Sequence, residues 1–261
     1  MDEEQGAVYK GEEESPFCEY TPSAEILAIP GVKRHPEAVT EAASLSSTQM
    51  PPIGYRLRIP ADVVATGRLT DVQLEAVAAA CAQHERRLPG PGGARRGFFM
   101  GDGPGVGKGR QIAGIILENA LRGRRRAVWV STSADLFVDA QRDLADVAPA
   151  GAAPLPVFDL RAQPPHARLS AAPALQHGVL FVSYALLVRE GADGAGSRLA
   201  QVAEWCGEGF AGVIALDEVP GHPLPPSEST LRGRLREAER LLRTPRPFPA
   251  PTGHSAPPPP P

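Results

Sequence analysis

The sequence is poor in cysteine, in aromatic residues and in net positive charge. Its three cysteines, Cys18, Cys81 and Cys206, are odd in number and at no metal-binding spacing, which argues against a disulfide framework and a zinc site. A net charge of −3 does not indicate a nucleic-acid partner, although it leaves one open. No apolar run approaches the roughly 20 residues that span a bilayer, and the acidic N-terminus is unlike a signal peptide. We therefore expect an intracellular protein with no membrane partner.

A glycine-rich loop that ends in Gly107 and Lys108 is the most informative segment of the chain. It follows an apolar run at 97–100, which predicts a buried strand, and it precedes a helical pattern. Backbone N–H groups in such a loop bind phosphate, and the lysine adds a positive charge. A glycine turn without a ligand would not need the lysine, so we expect a nucleotide-binding loop. The residues expected to bind the cofactor there are Gly103, Gly105, Gly107, Lys108, Gly109 and Arg110.

This loop departs from the strict P-loop pattern at two positions. Asp102 stands at the first position, which is usually glycine, and Gly109 follows the lysine in place of Ser or Thr. The missing hydroxyl normally contacts the Mg²⁺ that bridges two phosphates. We therefore expect little turnover even if nucleotide binds.

The middle of the chain alternates between apolar runs and helical patterns, as α/β domains do. Strands are predicted at 97–100, 127–131, 179–183 and 212–216, and helices from about 70 and at 111–121, 134–147 and 199–206. The strands are continuously apolar, which is typical of parallel strands with helices on both faces of the sheet. The predicted fold is therefore an α/β P-loop domain with a parallel sheet.

Polar residues follow three of these predicted strands, at the edge of the sheet where ligands bind. Asp217 and Glu218 end the last strand, where an acidic pair would hold Mg²⁺, directly or through water, and orient the attacking water. The alternative is that this pair only caps the next element. Hydroxyl side chains end two other strands, where they contact a nucleic-acid backbone or cap the following helices; they are Ser131, Thr132, Ser183 and Tyr184.

Several segments together resemble the strawberry notch family of helicase-like proteins. They lie at 20–23, 35–36, 41–47, 73–76, 81–85, 101–110 and 135–144, so the resemblance runs from about Tyr20 to Glu218. It implies the RecA-like first lobe of a superfamily-2 DExD/H ATPase that uses ATP and Mg²⁺. In that lobe Lys108 and Glu218 would be catalytic, and Gln73 would contact the base. The resemblance also implies a nuclear transcriptional co-regulator whose partners are transcription factors or chromatin-associated proteins.

We divide the chain into an acidic head (1–16), a lead-in segment (17–66), an incomplete RecA-like lobe (67–218) and a proline-rich and arginine-rich tail (219–261). The head and most of the tail are expected to be disordered. After Glu218 the sequence leaves the family pattern, so we expect a truncated form that binds nucleotide with little or no hydrolysis. The alternative is a non-catalytic scaffold that recruits partners through the head or the tail. A small-molecule kinase or GTPase is disfavoured, because no Ser or Thr follows Lys108 and no guanine-reading motif is present.

Overall fold

The computed structural model describes residues 17–46, 52–90, 93–187 and 197–218 of the chain. Its strands are β1 (Phe17–Glu19), β2 (Thr40–Ala42), β3 (Arg126–Ser131), β4 (Val157–Asp159), β5 (Gly178–Ser183) and β6 (Val213–Leu216). Its helices are α1 (Ala24–Leu27), α2 (Ala43–Ser46), α3 (Ala61–Ala65), α4 (Asp71–His84), α5 (Lys108–Leu121), α6 (Phe137–Asp146), α7 (Tyr184–Leu187) and α8 (Arg198–Cys206). Short 3₁₀ helices lie at Ala134–Leu136, Leu160–Ala162, Leu169–Ala171 and Pro173–Leu175. No helix in the described ranges is long and apolar enough to cross a membrane.

Four strands form one parallel sheet in the order β4-β5-β3-β6, and β1 and β2 form a separate antiparallel pair. The inner strands β3 and β5 pair along their whole length, from Arg126 opposite Gly178 to Ser131 opposite Ser183. Every residue of β5 is buried, and so is every residue of β3 after Arg126. The continuous apolar runs therefore form inner strands covered on both faces, which confirms the predicted α/β fold.

Alternate side chains of β3 contribute to two apolar clusters, one on each face of the sheet. Ala127 and Trp129 belong to a cluster that includes buried residues of α4, α5 and α6. Val128 and Val130 belong to a second cluster, which includes Trp205 of α8. Trp205 is fully buried. The sheet thus lies between two layers, and α5, which follows the glycine-rich loop, belongs to the first.

The apolar run at 97–100 is not a strand, so that prediction is wrong. Phe98 and Phe99 are 41 % and 88 % exposed, and no described strand pairs with this segment. Arg95, just before the run, instead donates from its guanidinium to the carbonyl oxygens of Ala211 and Gly212, which lead into β6. The contact of this part of the chain with the residues before β6 is therefore made by the side chain of Arg95.

One strand was not predicted, and two helices begin differently from the sequence-based expectation. The strand β4 was not expected, because it has only three residues and follows Pro156. The helix predicted over 134–147 begins as a 3₁₀ turn, where the Ser133 hydroxyl accepts a hydrogen bond from the N–H of Asp135 at 3.2 Å. The helix predicted from 111 begins earlier, at Lys108, because Gly107 provides its N-cap.

The lead-in segment is attached to the helix that follows the loop. Glu118, fully buried in α5, accepts hydrogen bonds from the backbone N–H groups of Arg58 and Ile59 at 2.8 and 3.1 Å. The Tyr55 hydroxyl and the Arg122 guanidinium donate to the same carboxylate at 3.0 and 2.8 Å. Four donors therefore satisfy a carboxylate that would be costly to bury alone, and they fix the lead-in segment to α5.

Candidate nucleotide site

The glycine-rich loop enters α5 through two residues in the left-handed region of backbone conformation. Gly105 has a φ of 91° and Gly107, the N-cap of α5, has a φ of 83°. Side chains are strained in this region, so glycine is required at both positions. The first N–H groups of α5 have no partner within the helix, and with the helix dipole they form a favourable place for an anion. The loop therefore has the backbone geometry that a phosphate site needs.

Lys108, the first residue of α5, lies against its own loop. Its Nζ atom donates to the carbonyl oxygens of Asp102 and Gly103, both at 3.2 Å. The Asp102 carboxylate in turn accepts a hydrogen bond at 2.6 Å from the amide of Gln111, a fully buried residue of α5. Sequence reasoning did not find Gln111, although it explains how an aspartate is accommodated at the first loop position.

Gly109 and Arg110 both lie against α6. A Cβ atom at Gly109 would collide with Oδ2 of Asp143, so the usual Ser or Thr would require the Asp143 side chain to move. The Arg110 guanidinium forms an ion pair with Asp146, and both side chains are about one third exposed. Of the six loop residues expected to bind the cofactor, Arg110 is therefore already engaged by another residue. Sequence reasoning did not connect Asp143 and Asp146 with the loop, because they lie more than 30 positions further along the chain.

Asp217 follows β6 and lies at the same edge of the sheet as Lys108. Its backbone N–H donates to the Val130 carbonyl at 2.8 Å, and its Oδ2 atom accepts a hydrogen bond from Trp129 Nε1 at 3.3 Å. Burial raises the pKa of Asp217, while the Trp129 hydrogen bond and the positive charge of Lys108 act in the opposite direction. Glu218 is exposed and has a φ of 47°, which is uncommon for a residue with a side chain.

The strand-end hydroxyls are mostly buried. Ser131 and Ser183 are partners in the register of β3 and β5, and the Ser183 hydroxyl accepts a hydrogen bond from the N–H of Leu186 at 3.3 Å. Burial and the nearby Asp217 raise the pKa of Tyr184 to about 12. Within the described residues, the buried Tyr184 hydroxyl has no hydrogen-bond partner. The Ser131 hydroxyl acts on the Asp217 carboxyl, whose pKa it helps to lower. Thr132 alone of these four residues is exposed.

Gln73 belongs to the first turn of α4 and contacts the loop. Its Oε1 atom accepts a hydrogen bond from the N–H of Thr70 at 3.1 Å, and its Nε2 atom donates to the Val106 carbonyl at 2.9 Å. Only 4 % of Gln73 is exposed. The structure thus brings Gln73, the loop, Lys108 and Asp217 together, with Gln73 facing the protein rather than solvent.

The ionisable residues of the site do not form a protein-only metal centre. No group of three or more His, Cys, Asp or Glu side chains in the described ranges is arranged to hold a metal ion. Mg²⁺ in phosphate-transfer sites is commonly held by one or two carboxylates, with waters and phosphate oxygens as its other ligands. Asp217 has the chemistry for that smaller role.

A left-handed glycine loop, a lysine at the start of the following helix and an acidic end of a parallel strand define a P-loop NTPase domain. The family described as P-loop containing NTP hydrolase pore-1 matches residues 34–223, and the chain belongs to this family. Its relatives include strawberry notch proteins, which confirms the resemblance found in the sequence. No solved structure matches the chain significantly.

Three relatives illustrate the similarity. The chain is 43 % identical over 204 residues to strawberry notch homolog 2 of Homo sapiens, a match that covers 77 % of this chain and 14 % of that protein. It is 44 % identical over 191 residues to strawberry notch of Drosophila melanogaster, covering 71 % and 11 % of the two chains. It is 40 % identical over 202 residues to FORGETTER 1 of Arabidopsis thaliana, covering 77 % and 15 %. The matched region is therefore less than one sixth of each relative.

Proposed function

We propose that this chain binds ATP with Mg²⁺ between the loop at 101–110 and the end of β6. The observation that carries the proposal is the loop itself, in which the left-handed Gly105 and Gly107 lead into α5 with Lys108 as its first residue. The positive charge of Lys108 also acts to lower the pKa of Asp217 at the end of β6. A cation suited to phosphate and a carboxylate suited to a metal thus lie near enough for their charges to interact, beside the N-terminus of α5.

The residues present fit the roles that ATP binding requires. Lys108 and the N–H groups of Gly105 and Gly107 would bind the phosphate oxygens. Asp217 would hold Mg²⁺ directly or through water, because Trp129 engages only one of its two carboxylate oxygens. Mg²⁺, when bound, supplies charge that offsets the negative phosphates. Glu218 is exposed next to this place and would orient a water molecule.

We propose further that binding is accompanied by little or no hydrolysis. The reason is Gly109, which removes the hydroxyl that usually contacts Mg²⁺. The Asp143 carboxylate occupies the space in which that side chain would lie, so the hydroxyl cannot be supplied without a rearrangement.

Membership of the family supports a role in a helicase-like transcriptional co-regulator. On this basis we propose a nuclear location and partners among transcription factors or chromatin-associated proteins. A nucleic-acid contact at the strand ends is a weaker proposal, because only Thr132 of the four hydroxyl residues there is exposed. Contact of Gln73 with the base is what the family resemblance implies, whereas its amide is bonded to the Thr70 N–H and the Val106 carbonyl.

The proposal is tested by isothermal titration of the chain with Mg-ATP and Mg-GTP, together with a phosphate-release assay. We expect saturable ATP binding that is lost in Lys108→Ala and that becomes independent of Mg²⁺ in Asp217→Asn. The rate of phosphate release from ATP by the parent chain should not exceed the rate measured for Glu218→Gln. Absence of binding in a folded sample would contradict the proposal and favour a non-catalytic scaffold; a preference for GTP would contradict the assignment of ATP.

A further inference from the structure

The amide of Gln73 is held at both of its ends by backbone groups of the protein. Oε1 is engaged by the N–H of Thr70 within the first turn of α4, and Nε2 is engaged by the Val106 carbonyl in the loop. With 4 % of the residue exposed, the amide has little surface to offer a base. A buried amide is most stable when its donors and acceptors are paired, so releasing it would be costly.

The same amide packs directly on the N-cap of α5. A Cβ atom at Gly107 would lie 2.6 Å from Gln73 Nε2, closer than any side chain can approach. Gly107 also has the left-handed conformation from which α5 begins at Lys108. Gln73 therefore touches the residue whose conformation sets the direction of the first N–H groups of the helix.

The hydrogen bond to Val106 also sets the direction of one donor in the loop. In a trans peptide the C=O and the N–H point to opposite sides of the chain. Because Gln73 holds the Val106 carbonyl, the N–H of Gly107 must point away from Gln73. If this peptide turned over, a carbonyl oxygen would take the place of that N–H, and a carbonyl repels an anion.

The helix that carries Gln73 is itself fixed against α5. A Cβ atom at Gly114 of α5 would lie 2.7 Å from Val77 Cγ2 and 3.2 Å from Leu69 Cδ1. Leu69 and Val77 are fully buried at this contact. The position of the amide relative to the loop therefore depends on a close helix contact that small movements would disrupt.

From these contacts we propose that Gln73 is a positioning residue that fixes the phosphate loop for any phosphate ligand, and that it does not read the base. This inference rests on the proposed function, because it assumes that the loop binds phosphate. Its consequence is that loss of the Gln73 amide weakens ligands with and without a base by the same factor.

Inorganic pyrophosphate with Mg²⁺ is the probe that separates the two roles, because it has no base. We would titrate the chain, Gln73→Met and Gln73→Glu with pyrophosphate, ATP and GTP. Gln73→Glu keeps the acceptor for Thr70 but loses the donor to Val106, so it tests the loop contact alone. One hydrogen bond to the loop predicts that all three ligands bind about tenfold more weakly to both variants.

Gln201→Met is the matched control. Gln201 is 7 % exposed, and its Nε2 atom donates to the carbonyl oxygens of Pro164 and Ala167 at 2.8 and 2.9 Å. Its loss removes the same kind of buried amide from another part of the fold. The control should keep the affinity for pyrophosphate, which shows that lower stability alone does not weaken binding.

Hydrogen exchange of the peptide spanning 101–110 provides a readout that needs no ligand. We expect faster exchange there in Gln73→Met and Gln73→Glu than in Gln201→Met. Unchanged pyrophosphate affinity together with a reduced preference for ATP over GTP would overturn the inference and make Gln73 a reader of the base. If the parent chain binds no phosphate ligand, the proposed function fails. The role of Gln73 is then decided by hydrogen exchange alone, and equal exchange of the 101–110 peptide in the parent chain and the Gln73 variants overturns the inference.

Discussion

At the scale of single residues, Gly109 and Asp143 account for the most unusual feature of the loop. The usual pattern has a hydroxyl residue after the lysine, yet here a Cβ atom at that position would collide with the Asp143 carboxylate. Asp143 is half-buried and its pKa is raised by burial, although Arg142 and Arg110 act in the opposite direction. The glycine is thus explained by a neighbouring helix rather than by the loop itself.

A double-mutant cycle tests this explanation. In the Asp143→Ala background, Gly109→Ser should be neutral or stabilising, because glycine is a poor helix former. In the parent background the same change should be less favourable by about 1 kcal/mol, because the new side chain meets Asp143. The measurement is the free energy of unfolding in urea for all four proteins. Equal effects of Gly109→Ser in both backgrounds would contradict the steric account.

His84, the last residue of α4, predicts a pH dependence of stability. Burial, with the nearby charges of Arg95 and Arg124, lowers the pKa of His84 from 6.5 to about 4. The unfolded chain therefore binds a proton below pH 6.5 that the folded protein does not bind until about pH 4. Stability due to this group is full above pH 6.5 and is lost as the pH falls toward 4.

Between pH 7 and pH 5 we expect a loss of about 2 kcal/mol in the free energy of unfolding from His84. Urea unfolding at a series of pH values measures it, with His84→Asn as the comparison. The substitution should remove most of the slope between these pH values. If the free energy of unfolding of His84→Asn depends on pH as steeply as that of the parent chain, His84 is not the source of the pH dependence.

At the scale of elements, Glu118 joins the lead-in segment to α5. Removing this carboxylate leaves the N–H groups of Arg58 and Ile59 and the Tyr55 hydroxyl without their acceptor. Glu118→Ala should therefore lower the free energy of unfolding by about 3 kcal/mol. Chemical denaturation measures this loss directly.

Glu85→Ala is the control for that substitution. Glu85 also pairs with Arg122, at 3.1 Å, but its side chain is 46 % exposed. An exposed pair contributes little, so we expect a change of about 0.5 kcal/mol or less. Similar losses from the two substitutions would show that Glu118 does not hold the segment in place.

The elements also show how far the sequence determines the fold. The runs at 127–131 and 179–183 form strands whose residues are buried on both faces of the sheet. A continuously apolar strand is stable where both of its faces are covered. The run at 97–100 is equally apolar but forms no strand, because strand formation also depends on a neighbour that composition does not reveal. An apolar run alone therefore does not predict a strand unless the run also has a neighbouring strand to pair with.

The site could be predicted to a similar extent. The alternation of strands and helices predicted that Asp217 ends a parallel strand on the edge where ligands bind, and β6 does end there. The loop with Lys108 was expected to follow a strand as well, and it does not. The contacts of Gln111 with Asp102 and of Asp143 with Gly109 depend on side-chain directions and on how helices cross. The partners of Gln73 likewise depend on the packing of α4 against α5, which no local motif specifies.

At the scale of the whole molecule, β6 forms one edge of the described sheet and its last side chains are partly uncovered. Ile214 and Leu216 are 41 % and 51 % exposed. An apolar edge strand is a common site of self-association. We therefore predict concentration-dependent association in sedimentation velocity, weakened by Ile214→Lys.

Val138→Lys serves as the control for association, because Val138 is 67 % exposed but lies on α6 and not on β6. It should leave the association unchanged. A parent chain that sediments as a monomer at every concentration would refute the prediction.

The central claim is that Lys108 and its loop form a working phosphate site, and thermal unfolding with Mg-ATP tests it most directly. Ligand at about 100 times its dissociation constant should stabilise the folded chain by roughly 2.7 kcal/mol. For a domain of this size that corresponds to a rise in Tm of about 5 to 10 °C. The account predicts this rise in the parent chain and its absence in Lys108→Ala. A cooperative transition that Mg-ATP does not move, or one that it moves equally in both proteins, would contradict the claim.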